Sequence, residues 1–315
     1  MTGFILRRLL QLLPVLLVAS MGIWGMIYAV PGSPVGAIVG ENATTEQIQA
    51  TVKKLGLDRP MTHQYAIWLE RALQGDLGQS IQNREPVTRL IAQRIPATVQ
   101  LGVAATLVGL LLGIPVAVIS ALRPGSWLDR LLSGWSAVAL GVPTFWLGIL
   151  LILLFAVTLR WLPSASAYVS VLEAPVEAIK NLALPALTLG LYVSGIFARF
   201  LRASLLSELK SDYVRTARSK GLPERDVVGR HVMRNALLPF VTIVGLMMAT
   251  FIGGTVVTEA VFTYPGLGRL LIQAISTRDY PLIQGCILFI LLVFVLINLL
   301  VDVLYAYIDP RIDYD

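Results

Sequence analysis

The side chains best suited to chemistry lie in one polar stretch, residues 211–239, of an otherwise apolar chain. In its first predicted helix, Tyr213, Ala217 and Gly221 recur every four residues, which places them on one helix face. Small residues let another surface approach the backbone closely, so this face favours docking of a partner protein. An ordinary solvated loop is the alternative interpretation. The basic side chains that remain available for acidic partners are Arg215, Arg218 and Lys220.

Catalytic and metal chemistry find little support in the sequence. His63 and His231 are far apart and lie in different loops, and the one cysteine, Cys286, sits in an apolar run. The phosphate loop G-x-x-x-x-G-K-[ST] does not occur, and neither does a zinc-binding H-E-x-x-H helix. Neither histidine lies in an apolar span, so no Ser–His pair forms within a membrane. We therefore predict no catalytic, cofactor-binding or metal site in this chain.

The composition is that of a membrane protein. The 315 residues are 56% hydrophobic and only 14% charged, with a mean hydropathy of +0.74, whereas soluble domains are about 45–50% apolar and about 25% charged. The net charge of +6 lies in loops between apolar spans. There it sets the orientation in the membrane, and nucleic acid is not an expected partner.

The elements that position the polar stretch are apolar runs of roughly 20 residues, which is the length needed to cross a bilayer. Six are predicted, at residues 9–30, 97–122, 131–159, 182–198, 239–258 and 282–301, and the fourth is the shortest. Arg7 and Arg8 precede the first run, which we interpret as a retained helix because it is long for a signal peptide. The predicted fold is an all-α membrane protein with six transmembrane helices.

Basic residues give the orientation of these spans. After the fourth span, residues 202–238 carry eight basic side chains, whereas the loops after the third and fifth spans have two each. The polar stretch and both termini are therefore predicted to face the cytoplasm. The predicted organisation is a first span (1–30), an external helical subdomain (31–95), a core of five spans (96–305) with the polar loop at 203–238, and a tail (306–315).

The external segment is predicted to be helical. Pro31-Gly-Ser-Pro34 marks a turn, a first helix starts near Thr44 and stops at Gly56, and a second runs from Pro60 to Leu73. Such a subdomain is either a structural cap on the bundle or a docking element for whatever delivers substrate.

The spans carry almost no ionisable groups. Arg199, Glu259 and Asp302 lie near span ends, and we expect both carboxylates to be paired or interfacial. A carrier driven by protons or sodium usually needs a mid-membrane carboxylate or an ion cage, and the sequence offers no clear candidate. Energy for transport must then come from another subunit, or transport is passive.

Within the polar loop, local signals predict two short helices joined by an elbow. Ser211 or Asp212 can cap a helix that starts at Tyr213, and Gly221 suits the left-handed residue after its end. Pro223 and Glu224 suit the first turn of a second helix.

This loop resembles the coupling motif of type I ABC importer permeases, E-A-A-x-x-x-G with a late I-x-L-P. Here it stands as Arg215-Thr-Ala217, three residues, Gly221, and Ala236-Leu-Leu-Pro239. Arg and Thr replace Glu and the first Ala, and the gap to Pro239 is about five residues longer than in sugar permeases. Both departures resemble the peptide/nickel branch.

The resemblance extends over nearly the whole chain and is carried by short motifs in a fixed order. It points to the first, B-type permease subunit of dipeptide, oligopeptide, glutathione or nickel importers, with a MetI-like fold. The motifs are Leu6-Arg-Arg-Leu9, Val30-Pro-Gly-Ser-Pro34, Leu55-Gly-Leu-Asp-Arg-Pro60, Gly75-Asp-Leu-Gly78, Pro143-Thr-Phe-Trp-Leu-Gly148, Pro265-Gly-Leu-Gly-Arg269, Arg278-Asp-Tyr-Pro281, Asn298-Leu-Leu-Val-Asp302 and Asp309-Pro-Arg-Ile312.

The resemblance implies an inner-membrane permease that imports peptides, with nickel chelates or glutathione as alternative cargo. Its implied partners are a homologous C-type permease, two ABC ATPases that bind ATP and Mg, an external solute-binding protein and membrane lipid. It implies ATPase coupling by Tyr213, Arg215, Thr216, Ala217, Lys220, Gly221, Leu222 and Pro239, and contact with the binding protein by Asp58, Arg59 and Arg269. A nucleotide-independent carrier or channel, and a structural membrane scaffold, are the competing classes.

Overall fold

The computed structural model describes residues 2–29 and 60–308, together with residues 44, 46, 49 and 52. The fold is all-α, as predicted. Its twelve helices within these ranges are α1 Thr2–Ala29, α2 Met61–Leu73, α3 Val87–Leu122, α4 Trp127–Gly141, α5 Thr144–Leu151, α6 Pro175–Glu208, α7 Asp212–Ser219, α8 Glu224–Asp226, α9 Met233–Gly254, α10 Val256–Val261, α11 Leu267–Ser276 and α12 Tyr280–Ile308. Two π-helical segments, Ile152–Thr158 and Val227–Val232, continue α5 and join α8 to α9.

Four helical stretches in the described ranges are long and apolar enough to cross a membrane, namely Val87–Leu122, Pro175–Glu208, Glu224–Phe251 and Tyr280–Val301. A fifth is formed if α4 and the α5 segment count as one bent span. The apolar part of α1, Leu10–Met26, is shorter. The count of six spans stays a prediction.

The third predicted span, 131–159, is not one continuous helix, and this expectation was wrong. Its two arms, Trp127–Gly141 and Thr144–Thr158, meet at an angle of 100°. The break falls at Val142, which is extended (φ −83°, ψ 123°), immediately before Pro143. Proline lacks an N–H and disfavours helical geometry in the residue before it, so the helix ends there.

The fourth predicted span, the shortest by apolarity, lies within the 34-residue α6, the centre of the bundle. Of its most apolar window 67% is buried, more than for any other described span. Glycines make this packing close: a β-carbon at Gly190 would lie 2.4 Å from Val108, and one at Gly109 would lie 2.2 Å from Val193. Helix α6 is thus held against α3 along its length.

Two of the short motifs meet near the start of α3. Ser80 Oγ, which follows the Gly75–Gly78 turn, donates to Asp279 Oδ2 at 2.5 Å, and both residues are buried. Asp279 Oδ1 also accepts from the backbone N–H of Leu282, in the first turn of α12. The motifs at residues 75–78 and 278–281 are therefore held together.

The first helix packs against the last. The Gln284 side chain on α12 donates to the carbonyls of Ile23 (3.3 Å) and Trp24 (3.2 Å) on α1. Helix α2 matches the predicted helix from Pro60 to Leu73 and joins α1 by a 2.8 Å hydrogen bond between Ser20 and Tyr65. The predicted helix before it falls largely outside the described residues. Because α3 begins at Val87, the predicted boundary at residue 95 falls inside a helix.

Candidate functional site

Helix α7 begins at Asp212 and follows directly on the end of α6. Ser211 has the extended backbone of an N-cap residue, but its hydroxyl donates to the Glu208 carbonyl at 2.5 Å and caps no N–H. The Asp212 carboxylate instead pairs with Arg215 at 3.4 Å on a highly exposed surface. The predicted side-chain cap is therefore wrong, because the preceding helix end competes for the serine hydroxyl.

The predicted elbow after α7 is confirmed. Gly221 has a φ of +75°, in the left-handed region. Its N–H donates to the Arg218 carbonyl at 2.9 Å, and the Leu222 N–H donates to the Ala217 carbonyl at 3.3 Å. This pair of bonds is a Schellman motif, which satisfies the last carbonyls of the helix and fixes the exit direction of the chain.

The inner face of α7 packs on the protein itself. Val214 is fully buried and Ala217 is 7% exposed, and both join the main apolar core beside Leu205 and Val227. The predicted stripe is therefore divided: Tyr213 and Gly221 are exposed, whereas Ala217 faces inward. The small side chain at Ala217 brings α7 close to its own bundle.

The outer face of α7 is polar and open. Tyr213 is 37% exposed, and its hydroxyl donates to Glu208 Oε2 at 2.5 Å. Burial, and then this hydrogen bond, raise the pKa of Tyr213 above its usual range, so its hydroxyl remains a donor. The other exposed positions with an expected coupling role are Arg215, Thr216, Lys220, Gly221 and Leu222.

An ion pair braces the elbow from α7 to α8. The Arg218 guanidinium donates to Glu224 through Nε at 3.1 Å and Nη2 at 2.5 Å. The pair is about half exposed, so its net contribution to stability is at most about 1 kcal/mol. Its two-point geometry restrains the angle between the two short helices more than it adds stability.

The loop connects to the spans through α9 and α6. The π-helical segment Val227–Val232 leads directly into α9, and Ser204 Oγ on α6 donates to the Ala236 carbonyl on α9 at 3.0 Å. Pro239 lies inside α9 and is exposed. It has no N–H for the carbonyl one turn before it, so α9 is weakened there, close to the loop.

A buried polar clamp near the base of α6 was missed by the sequence-based reasoning, which used Arg202 only as a topology signal. Arg202 donates to Asp129 through Nε (3.0 Å) and Nη2 (2.8 Å), and its Nε also reaches Ser120 Oγ at 2.8 Å. Ser120 Oγ and the Gly125 N–H donate to the same carboxylate. Ser126 accepts from the Asp129 N–H at 3.1 Å. Helices α3, α4 and α6 are thus tied at the end nearest α7. The available signal was Ser126 three residues before Asp129, a helix-capping pattern.

The residues expected to contact a binding protein are only partly described. Asp58 and Arg59 lie outside the described residues. Arg269 is half-buried on α11, where its guanidinium donates to the Thr263 carbonyl. Part of its hydrogen-bonding capacity therefore serves the loop that leads into α11.

Glu259 is fully buried and is paired by hydrogen bonds, one of the two expected situations; the Asp302 side chain lies outside the described part of the structure. Thr98 and Thr255 each donate to Glu259 Oε1 at 2.9 Å. The Arg269 N–H, in the first turn of α11, donates to Oε2 at 3.0 Å. The carboxylate therefore caps α11, which begins after Gly266 and so lacks a capping side chain of its own.

Gly266→Ala is expected to lower the free energy of unfolding by about 2 kcal/mol, because the pocket of Glu259 has no room for a methyl group. A β-carbon there would lie 2.1 Å from Glu259 Oε1. Thermal unfolding of the detergent-purified protein measures the change. Gly134→Ala is the matched control, since its β-carbon would have no neighbour within 4 Å. Equal melting of the two variants would contradict the prediction.

Comparisons with known proteins agree with this architecture. A family model described as "Binding-protein-dependent transport system inner membrane component" matches residues 113–314, and the model for its N-terminal part matches residues 1–102. A Brucella suis protein named as a peptide transport system permease is 42% identical over 315 residues, covering 100% of both chains. The glutathione transport system permease GsiC of Escherichia coli K12 is 41% identical over 314 residues, again covering 100% of both.

A solved structure shares the fold. A chain of the MetNI methionine ABC transporter, in an inward-facing conformation, superposes with a TM-score of 0.57 at 20% identity, covering 70% of this chain and 96% of that one. The two family models together match nearly the entire sequence. The chain therefore belongs to the binding-protein-dependent inner membrane components, as a permease subunit of the peptide/nickel group of ABC importers and not an enzyme.

Proposed function

We propose that this permease forms half of the translocation pathway of an ATP-driven peptide importer. The observation that carries the proposal is the 42% identity, over the full length of both chains, to a protein named as a peptide transport permease. A permease of this family works with an ATPase and a solute-binding protein, so the energy and the cargo are supplied by other subunits.

The proposed assembly contains a homologous C-type permease, two ABC ATPases that bind ATP and Mg, and an external solute-binding protein. Both termini and α7 face the cytoplasm, because residues 202–234, which include α7, carry eight basic side chains. The external segment before α3 faces the binding protein, with Asp58 and Arg59 as proposed contacts, and Arg269 on α11 is a third proposed contact.

Helix α7 is the proposed docking element for an ATPase. Its outer face presents Tyr213, Thr216 and Lys220, while its inner face is held in the bundle through Val214 and Ala217. Closure of the ATPase pair would push α7 and shift the spans only if the ATPase contacts differ between the two states. The Schellman elbow at Gly221, together with Pro239, then transmits the shift into α9.

A glutathione importer is the second candidate, because GsiC is 41% identical over its full length. A nickel-chelate importer follows from the peptide/nickel group alone. Glutathione is itself a tripeptide derivative, so one assay distinguishes these cargoes.

Proteoliposomes that contain the chain with its genomic neighbours test the proposal. We expect uptake of a labelled di- or tripeptide that requires ATP hydrolysis and loaded binding protein, and co-elution with a second permease and two ATPases. Competition by glutathione or by a nickel chelate separates the alternatives. Uptake by this polypeptide alone, without nucleotide, would instead establish a secondary carrier or channel.

A further inference from the structure

The central helix α6 is largely buried but leaves one stripe open. Arg199 and Ala203 are exposed, and Tyr192 and Ile196 are partly exposed. Spacings of four, three and four residues place these side chains on one face of the helix. The stripe runs beside α4, because both helices line the same two cavities. Between them lies a groove, which we call the α4/α6 groove.

One cavity lies at the end of the groove nearest α7 and has a volume of about 200 Å³. Its polar lining residues are Ser120 on α3, Ser133 and Ser136 on α4, and Arg199 and Arg202 on α6. The remaining walls are mostly small or apolar side chains of α3, α4 and α6.

Among the described residues, one of the two arginines that line this cavity has no partner for its positive charge. Arg202 is neutralised by the Asp129 carboxylate through two contacts of 3.0 and 2.8 Å. Arg199 makes neither a hydrogen bond nor an ion pair with any residue in the described part of the chain. An arginine near the end of a span extends to the membrane interface or pairs with an acceptor, and Arg199 borders a cavity that has room for one. The planar guanidinium group of Arg199 can donate two parallel hydrogen bonds to one carboxylate.

A second cavity, of about 390 Å³, lies further along the groove at the bend between α4 and α5. The hydroxyls of Tyr192 and Thr144 belong to its lining residues and have no hydrogen-bond partner among the described residues. Arg199 lies seven positions after Tyr192 on α6, a helical rise of roughly 10 Å, which is about the length of three extended residues. The groove therefore has neutral hydroxyl groups, on Tyr192 and Thr144, at one end and the positively charged Arg199 at the other.

We propose that Arg199 binds the C-terminal carboxylate of the cargo, in a subsite of the translocation pathway formed by the α4/α6 groove. Tyr192 and Thr144 contribute hydrogen bonds to the peptide main chain. The inference rests on the proposed function and adds to it that favoured cargo carries a carboxylate. A lipid phosphate could occupy the same cavity, but the polar groups that continue along the groove favour a peptide.

The test compares two versions of one peptide, with a free C-terminal carboxylate and with a C-terminal amide, both first shown to load the binding protein. Uptake is measured in proteoliposomes that contain the complete transporter. Arg199→Gln is expected to reduce uptake of the free acid about tenfold or more, through loss of charge-assisted hydrogen bonds, and to leave the amide nearly unchanged. Arg199→Lys retains part of the uptake of the free acid.

Arg123→Gln is the matched control, because it removes an exposed arginine at the same end of the bundle outside the cavity. Stimulation of ATP hydrolysis by loaded binding protein is measured in both variants, and it should stay near the wild-type rate in Arg123→Gln. If Arg199→Gln lost uptake of the acid and of the amide equally, Arg199 would have no specific role in carboxylate binding. The same conclusion would follow if the Arg199→Gln transporter eluted without its second permease, because the loss would then come from failed assembly. A loss that appears only in vesicles containing anionic phosphatidylglycerol would reassign the cavity to lipid. No wild-type uptake of either peptide would instead overturn the proposed function, and with it this subsite.

Discussion

Replacing Gly221 by proline is expected to abolish ATP-driven uptake while the protein still inserts into the membrane. Proline holds φ near −65°, whereas Gly221 has a φ of +75°. The substitution also removes the N–H that donates to the Arg218 carbonyl, and it disfavours the near-helical backbone of Lys220. The elbow would open, and α7 would present its outer face to the ATPase at a wrong angle.

The measurement is twofold, peptide uptake and the stimulation of ATP hydrolysis by loaded binding protein, both in proteoliposomes. We expect uptake to fall more than tenfold, and the stimulation to be lost with it. Gly221→Ala is the graded control: a β-carbon there meets nothing within 4 Å, so only the strained backbone, about 1–2 kcal/mol, opposes it. Normal uptake by the proline variant would contradict the proposal that this loop couples ATP hydrolysis to transport.

Ala217→Glu is also expected to uncouple the transporter, although Ala217 faces its own bundle and not the outer surface of α7. Ala217 is buried against the core of its own chain, so a carboxylate would push α7 away from the bundle. Trypsin cleavage at the exposed arginines of the loop should then increase in this variant and not in Thr216→Glu, whose side chain faces out. Equal cleavage in both would contradict the inward placement.

The second large effect is expected at the polar clamp. Asp129→Ala leaves the Arg202 guanidinium and the Ser120 hydroxyl without their shared acceptor. Removing one partner of a buried ion pair costs about 3 kcal/mol or more, and the partial exposure of Arg202 places this case at the low end. We expect the melting temperature of the purified permease to fall by about 5 °C.

Two further variants separate the clamp from general charge effects. Arg215→Gln breaks a highly exposed pair and should cost less than about 1 kcal/mol. Combining Asp129→Leu with Arg202→Met removes both charges, and it should recover much of the stability lost by Asp129→Ala. A double variant as unstable as the single one would show that the clamp acts by packing and not by charge.

Local backbone conformation could be predicted from the sequence where a single residue type determines it. Gly221 predicts the elbow because few other residues tolerate a left-handed backbone, and the structure has it there. Pro143 likewise indicates a helix break within the third predicted span, but the long apolar run around it favoured an uninterrupted span. The length of an apolar run predicts whether a segment can cross a membrane. It does not predict whether the helix is continuous, because packing against neighbouring helices can stabilise a break.

Contacts between distant segments could not be predicted in this way. The apolar run at residues 182–198 is short because charged residues flank it, yet α6 is the central helix, since glycines on α3 and α6 allow close approach. Asp129 and Arg202 are 73 residues apart, and no local pattern pairs them. Glu259 was expected to be paired or interfacial, but its role as the cap of α11 depends on the tertiary position of Gly266.

The hydrogen bonds from Gln284 to α1 and from Ser80 to Asp279 set an order for biogenesis. The ribosome makes α1 before α12, so α1 must wait for almost the whole of translation before this partner exists. The hydrogen bond between Ser80 and Asp279 is delayed in the same way, because Asp279 is also made late. Final assembly is therefore post-translational, and the last helix to emerge completes the environment of the first.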